Sequence, residues 1–470
     1  MKAHAYQKYK IILNEGGLSF MQWHNKFHLE MPKGLVNDPN GLCYHQGKYQ
    51  IFFQWNPFGC EHKHKHWTYT QTTDFINYTK PQIALAPVDK FDKDGCYSGS
   101  ARSKNNKLEI IYTANLKDEQ NIRYPRQVLV KQDDDGEFIK EKIIIDTVPK
   151  GYTTHFRDPY IFIKNNRSFI ILGAQRENLT GCALIYEEID ENWIFRGELK
   201  TRLTDFGYMW ECPNLFTIDD KDILVFCPQG LKAQKYQYQN LYQAGYLIGQ
   251  FNPDTLEFTH GEFHEFDMGF DFYAPQVLVH ENRHILIGWV GMPDKLQDYP
   301  TIDDGWVHSL TLPRELILKN DKLYQRPIAE LNKLNQNTTT KMNKDKISLS
   351  TNKKLEISIP LKDISNWQGK LKFNDEYILL TYDKNNSIFT IDRSQLKLGG
   401  KGIRQFLVKT QDELNLSVYI DNSIIELYLQ DGEYYATFCY YPTNDNPVFD
   451  LIQNTNNCTT LTDLNSISYL

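Results

Sequence analysis

The sequence lacks several features that would direct it to other functions. Its eight cysteines (43, 60, 96, 182, 212, 227, 439 and 458) include no C-x-x-C pair and lie scattered, mostly inside aromatic or aliphatic runs. That excludes a thiol redox motif and a four-cysteine zinc site, and predicts reduced core thiols. Basic charge is in deficit, 52 Lys and Arg against 59 Asp and Glu for a net charge of -7, so no positive field exists to hold nucleic acid. The opening MKAHAYQKYKIILNEGG has no uninterrupted apolar h-region, and no later run approaches a membrane span. A soluble cytoplasmic protein with no membrane partner is therefore expected. His62-Lys63-His64-Lys65-His66 comes nearest to a metal site, because strand alternation would put three imidazoles on one face. The interleaved lysines predict a solvated loop instead, and no metal or organic cofactor is expected.

Aromatic residues are abundant: 29 Tyr, 26 Phe and 8 Trp in 470 residues. They favour strands and offer flat faces to sugar rings. A chain of this length suits one large repeat-built domain plus a smaller one. After a polar helical leader over residues 1–25, short aromatic and β-branched runs alternate with Gly, Asn, Asp and Pro. GLCYHQGKYQIFFQWN, DPYIFIKNNRSFIILGAQ and YAPQVLVHENRHILIGWV are examples, each read as two strands about a tight turn. With no regularly spaced amphipathic helices between them, residues 26–328 predict an all-β propeller, stacked sandwiches being the competing arrangement. No exact sequence period is visible, so spacing does not give a blade count. The polar IAELNKLNQNTTTKMNKDK predicts a short helix and a linker over 329–345, and renewed alternation predicts a β-sandwich over 346–470.

Three acids stand in unusual settings. Asp38 lies in Asn37-Asp38-Pro39-Asn40-Gly41, a tight turn before a strand, though every residue there is also a plain turn former. Asp158 follows Arg157 in THFRDPYIF, where the guanidinium either holds its carboxylate ionised or makes a structural ion pair. Glu211 sits between Trp210 and Cys212 in GYMWECPNLF, an apolar setting that favours a protonated carboxyl, against the alternative of an edge glutamate facing water. Glycoside hydrolysis requires such a pair, one carboxyl protonated to help the leaving group and one ionised to attack or to activate water. In a propeller, the innermost strands converge on one channel, so acids far apart in sequence can meet.

LVNDPNG, FRDPY and WECP in this order resemble the signature of the invertase and β-fructofuranosidase family, family 32 of the glycoside hydrolases. The likeness extends through FQWNPFG, KHW, GCYSGSA, GAQ, CPQG, GFDFYAPQ, GWVGMP and LPREL, most of residues 27–318. It implies a five-bladed β-propeller followed by a C-terminal β-sandwich, and retaining cleavage of β-fructofuranosides. It assigns Asp38 as nucleophile, Asp158 as transition-state stabiliser and Glu211 as acid/base, with the two reacting carboxyl groups about 5 to 5.5 Å apart. Arg157 is expected to orient Asp158. Leu35, Asn37, Gln54, Trp67, Tyr97 and Ser98 are implied to bind the fructose unit of a small sugar: sucrose, sucrose 6-phosphate or a short fructo-oligosaccharide. A fructosyltransferase and a non-catalytic fructan-binding protein are the competing functions.

The chain departs from many relatives at Leu35-Val36 and at Trp67-Thr68-Tyr69-Thr70, which predicts a different pocket wall near Tyr69. Candidates for holding a phosphate are His62, Lys63, His64, Lys65 and Arg176.

Overall fold

A strand with one apolar face must bury that face against another layer, and a long succession of such strands stacks into several sheets. The structure, a computed structural model, describes residues 23–342, 346–362, 365–410, 412–443, 448–453 and 457–470. Five antiparallel sheets form between residues 34 and 327. Their first strands are Gly34–His45, Cys96–Lys104, Tyr152–Lys164, Met209–Ile218 and Tyr273–His280. Each first strand packs on those of the neighbouring sheets, and the fifth also packs on the first, so the ring closes. This is a five-bladed β-propeller, blades I to V in chain order. Trp306–Val307 returns from blade V to pair in parallel with Gly34 and Leu35 of blade I. Of the helical leader expected over residues 1–25, only Trp23–Asn25 are described, and these form no helix.

All five first strands carry a register shift at the same height: Val36/Pro39, Cys96/Gly99, Arg157/Tyr160, Glu211/Asn214 and Tyr273/Gln276. Proline has no N–H for a ladder, so it is tolerated where a bulge has already interrupted pairing. Pro39, Pro159, Pro213 and Pro275, with Gly99 from blade II, meet around a cavity of about 10 Å³ on the axis, room for about one water. The bulges thus plug the channel and turn the residues beside them toward its mouth. Asp158, Cys212 and Ala274 take left-handed φ values of 64°, 47° and 43° to do so.

The C-terminal domain is a β-sandwich of two six-stranded sheets, their inner faces packed around Trp367, Phe373, Phe389 and Phe438. One expectation is corrected here. Asn335–Met342, read as linker, is an edge strand paired with Cys458–Leu464. It is exposed over nearly its whole length, so it carries no apolar alternation, and its threonines face threonines across the pair at Thr338/Thr462 and Thr340/Thr460. The preceding Ala329–Leu334 forms a 3₁₀ helix.

Buried charge joins the two domains. Asp421 of the sandwich accepts the backbone N–H groups of Lys26 and Phe27 and Nδ1 of His28, at 2.8, 3.0 and 2.8 Å. Glu426 lies 3.3 Å from His28 Nε2 and 3.1 Å from Nη2 of the fully buried Arg314. Ser468–Tyr469 then pairs with Asn77–Tyr78 of blade I.

Candidate active site

At the mouth of the channel the bulged strands surround a cleft of about 320 Å³, into which Asp38, Asp158 and Glu211 all project. A larger groove of about 520 Å³ lies between propeller and sandwich, but its acids Glu356 and Asp431 are paired with Lys354 and Arg326. Only the smaller cleft brings three carboxylates from three blades together. Cys212 marks their meeting point: its Sγ lies 3.7 Å from Asp38 Oδ2 and 3.7 Å from Asp158 Oδ2.

Each acid is held by defined donors. Asp38 accepts Nδ2 of Asn37 at 3.0 Å on one oxygen and the Ser98 hydroxyl on the other. Asn37 also donates to Gln54, and Gln54 Nε2 donates to Ser98 Oγ at 3.0 Å, so blades I and II clamp the carboxylate from both sides. Asp158 is buried and accepts the Cys212 N–H at 3.0 Å. Burial pushes its carboxyl above the usual range; Arg157 opposes the rise, and Glu211 and Asp38 add to it. Glu211 receives Arg157 Nε and Nη2 at 3.1 and 2.7 Å on Oε1, and the Tyr273 hydroxyl at 2.6 Å on Oε2.

Two expectations change. Glu211 does not face an apolar setting: strand alternation sends Trp210 into the core against Phe226, while Glu211, on the opposite face, meets Arg157 and Tyr273. Arg157 accordingly serves Glu211, its Nε standing 3.9 Å from Asp158 Oδ2.

Asn37, Gln54, Tyr97, Ser98 and Arg157 line the cleft with the acids. Leu35 and Trp67 do not; both are fully buried, Leu35 among Val290, Tyr299 and Val307, and Trp67 in the seam of blades I and II with its Nε1 donating to Tyr97 O at 3.0 Å. Tyr69 also lies outside the cleft, stacked on Phe52 and bonded to Gln50, so the departure there alters blade packing.

The His62–His66 segment is an exposed loop at His62, Lys63 and His64, as expected, but Lys65 and His66 are buried. His62 stacks on Trp289 in the cleft wall. Lys65 is 4% exposed and donates from Nζ to Asn37 Oδ1 at 2.5 Å. Burial lowers its pKa to about 7, against the pull of Asp38 and Glu211. Arg176, a phosphate candidate, instead binds Glu198 away from the cleft, and Lys63 pairs with Glu61. Sequence reasoning missed Tyr273, although YAP repeats the bulge pattern of RDP and ECP. Among the described residues no group of three or more His, Cys, Asp or Glu is placed to hold a metal ion, and all eight cysteines are free.

The family model described as "Glycosyl hydrolases family 32 N-terminal domain" matches residues 28–327, and "Glycosyl hydrolases family 32 C terminal" matches 321–468. The sucrose-6-phosphate hydrolase of Bacillus subtilis (strain 168) is 39% identical over 426 residues, 88% of this chain and 88% of that protein. That of Staphylococcus xylosus is 37% identical over 453 residues, 92% and 91% of the two chains. A solved sucrose-6-phosphate hydrolase from Lactobacillus gasseri has the same fold at a TM-score of 0.89, with 29% identity over 99% of this chain and 97% of that one.

Proposed function

This chain belongs to family 32 of the glycosyl hydrolases, and from that premise we propose that it hydrolyses sucrose 6-phosphate and sucrose with retention at the fructose anomeric carbon. The observation that carries the reading is the meeting of Asp38, Asp158 and Glu211 in one cleft, each with its own donors. Asp38, oriented by Asn37 and Ser98, attacks C2 of the fructosyl unit while Glu211 passes a proton to the glycosidic oxygen, giving a covalent fructosyl-enzyme. Glu211 then takes a proton from water, which attacks C2 and releases fructose. Asp158 holds fructose hydroxyls, contacts that strengthen as the ring flattens toward an oxocarbenium-like transition state. Arg157 and Tyr273 fix the Glu211 carboxyl in place through both steps. Asn37, Gln54, Tyr97 and Ser98 shape the fructose end of the cleft.

The propeller (26–328) carries the chemistry, and the sandwich, which starts with the edge strand Asn335–Met342, supports it. No helix among the described residues is long and apolar enough to cross a membrane. We place the enzyme in the cytoplasm, where a phosphorylated sugar is available and eight free thiols stay reduced.

The test is kcat/KM for sucrose 6-phosphate, sucrose and kestose, with released fructose and its partner sugar quantified. A preference for the phosphate ester is expected. No fructose release from any of the three would overturn the reading.

A further inference from the structure

We propose that Arg123, with His155 beside it, is the anion-binding wall of the cleft and holds the phosphate of the leaving sugar. The inference rests on the proposed substrate and adds the group that recognises it.

Arg123 and His155 both line the cleft. Arg123 comes from the connection between the second and third strands of blade II, where a short hairpin is fixed by Asp118. That carboxylate accepts the N–H groups of Gln120 and Ile122, at 3.0 and 2.8 Å, and the Tyr124 hydroxyl at 3.0 Å. Of the two acids in the hairpin, Asp118 is therefore engaged with the hairpin itself, and Glu119 is exposed to solvent. Arg123 makes no ion pair with any described residue; its guanidinium lies 5.4 Å over the Tyr97 ring, a contact that orients the plane without neutralising it.

The other cations are committed. Arg157 turns Nε and Nη2 to Glu211 and Nη1 to His155 Nδ1 at 3.1 Å. Lys65 is bonded to Asn37 at the fructose end. Because His155 Nδ1 accepts from Arg157, the ring proton of the neutral form sits on Nε2 as a donor.

The charge layout fixes the direction. Three carboxylates on the floor, against Lys65 and Arg157, leave no surplus positive charge there. Asp294, bonded to the Tyr242 hydroxyl at 3.0 Å, makes the wall across from blades II and III acidic. A phosphate monoester, carrying close to two negative charges, is turned away from the floor and from Asp294 and toward the free fork of Arg123.

The experiment compares wild type with Arg123→Gln and Arg123→Lys on sucrose 6-phosphate and sucrose. In the Gln variant the ratio of kcat/KM for the phosphate ester to that for sucrose is expected to fall about 10- to 100-fold, as for loss of a charged hydrogen bond. The Lys variant recovers part of it by keeping the charge. An unchanged ratio overturns the proposal, as does a wild type with no preference for the ester, and either result leaves the hydrolase reading intact. Should neither sugar be cleaved, that reading fails, and calorimetry with glucose 6-phosphate then judges the wall separately. Binding that weakens in Arg123→Gln upholds it, and binding absent or unaltered overturns it.

Discussion

Lys65 is the residue whose surroundings most change the account of the nucleophile. Its ammonium bonds Asn37, and Asn37 in turn donates to Asp38, so the orientation of Asp38, the proposed nucleophile, depends on a buried cation from the loop just before the strand His66–Thr72. Lys65→Met should therefore lower kcat by about 10- to 100-fold through loss of a charged hydrogen bond, with a much smaller change in KM. Steady-state kinetics on sucrose would check this, and a variant with unaltered kcat would remove Lys65 from the account. The residue was readable in principle. Alternation draws attention to the three histidines at 62, 64 and 66, but Lys65 directly precedes the strand His66–Thr72, whose first residues His66 and Trp67 are both buried, so the chain has already turned inward at Lys65. The acids themselves were legible because Asp38 and Asp158 directly precede proline and Glu211 stands two residues before one. The partners of Glu211 were not, since Arg157 and Tyr273 reach it from two other blades and no local pattern encodes that.

Among the elements, the bulged first strand is the unit from which the site is made. Its trace recurs at residues 38–39, 98–99, 158–159, 212–213 and 274–275 as Asp-Pro, Ser-Gly, Asp-Pro, Cys-Pro and Ala-Pro. This fivefold repeat escapes a search for an exact period because the connections between blades differ in length and only the bulge is held constant. Close packing between blades sets the height of each bulge. A Cβ at Gly173 in the second strand of blade III would stand 2.0 Å from the backbone oxygen of Trp210, next to Glu211. Gly173→Ala must push blade IV away, so we expect a stability loss of about 1 to 3 kcal/mol together with reduced activity in the protein that remains folded. Urea unfolding and specific activity would check both, and unaltered values would mean that blade IV has slack at this contact. The edge strand Asn335–Met342 shows the opposite limit: with neither face buried, its sequence cannot be told from a linker.

Across the whole molecule, the domains are joined by ionised groups that water does not reach. Burial disfavours a charged His28, but its bonds to Asp421 and Glu426 outweigh that and raise its pKa to about 9. Burial likewise disfavours a charged Glu426, but Arg314 and His28 hold its carboxyl down to about 2. The folded pKa of His28 exceeds the unfolded value of about 6.5. Its contribution to stability is therefore complete below that pH and is lost as pH rises through about 9. His28→Gln should be less stable than wild type by on the order of 3 kcal/mol near pH 6, and the gap should close as the pH is raised past the folded value. Denaturant unfolding across this range would test it; a gap independent of pH would mean that the imidazole is not protonated at the interface. The architecture was readable from strand rhythm and the sandwich from renewed alternation. The joint was not, because His28, Arg314 and Asp421 come from distant segments that carry no shared motif.

The central claim is a double-displacement reaction through Asp38, and trapping with methanol tests it most directly, because a methyl fructoside cannot mutarotate as free fructose does. Sucrose is incubated with the enzyme in dilute methanol and the anomer of the methyl fructofuranoside is assigned by NMR. The account predicts the β anomer from wild type and no methyl fructoside from Asp38→Asn, whereas an α product, or β product from the Asn variant, would contradict it.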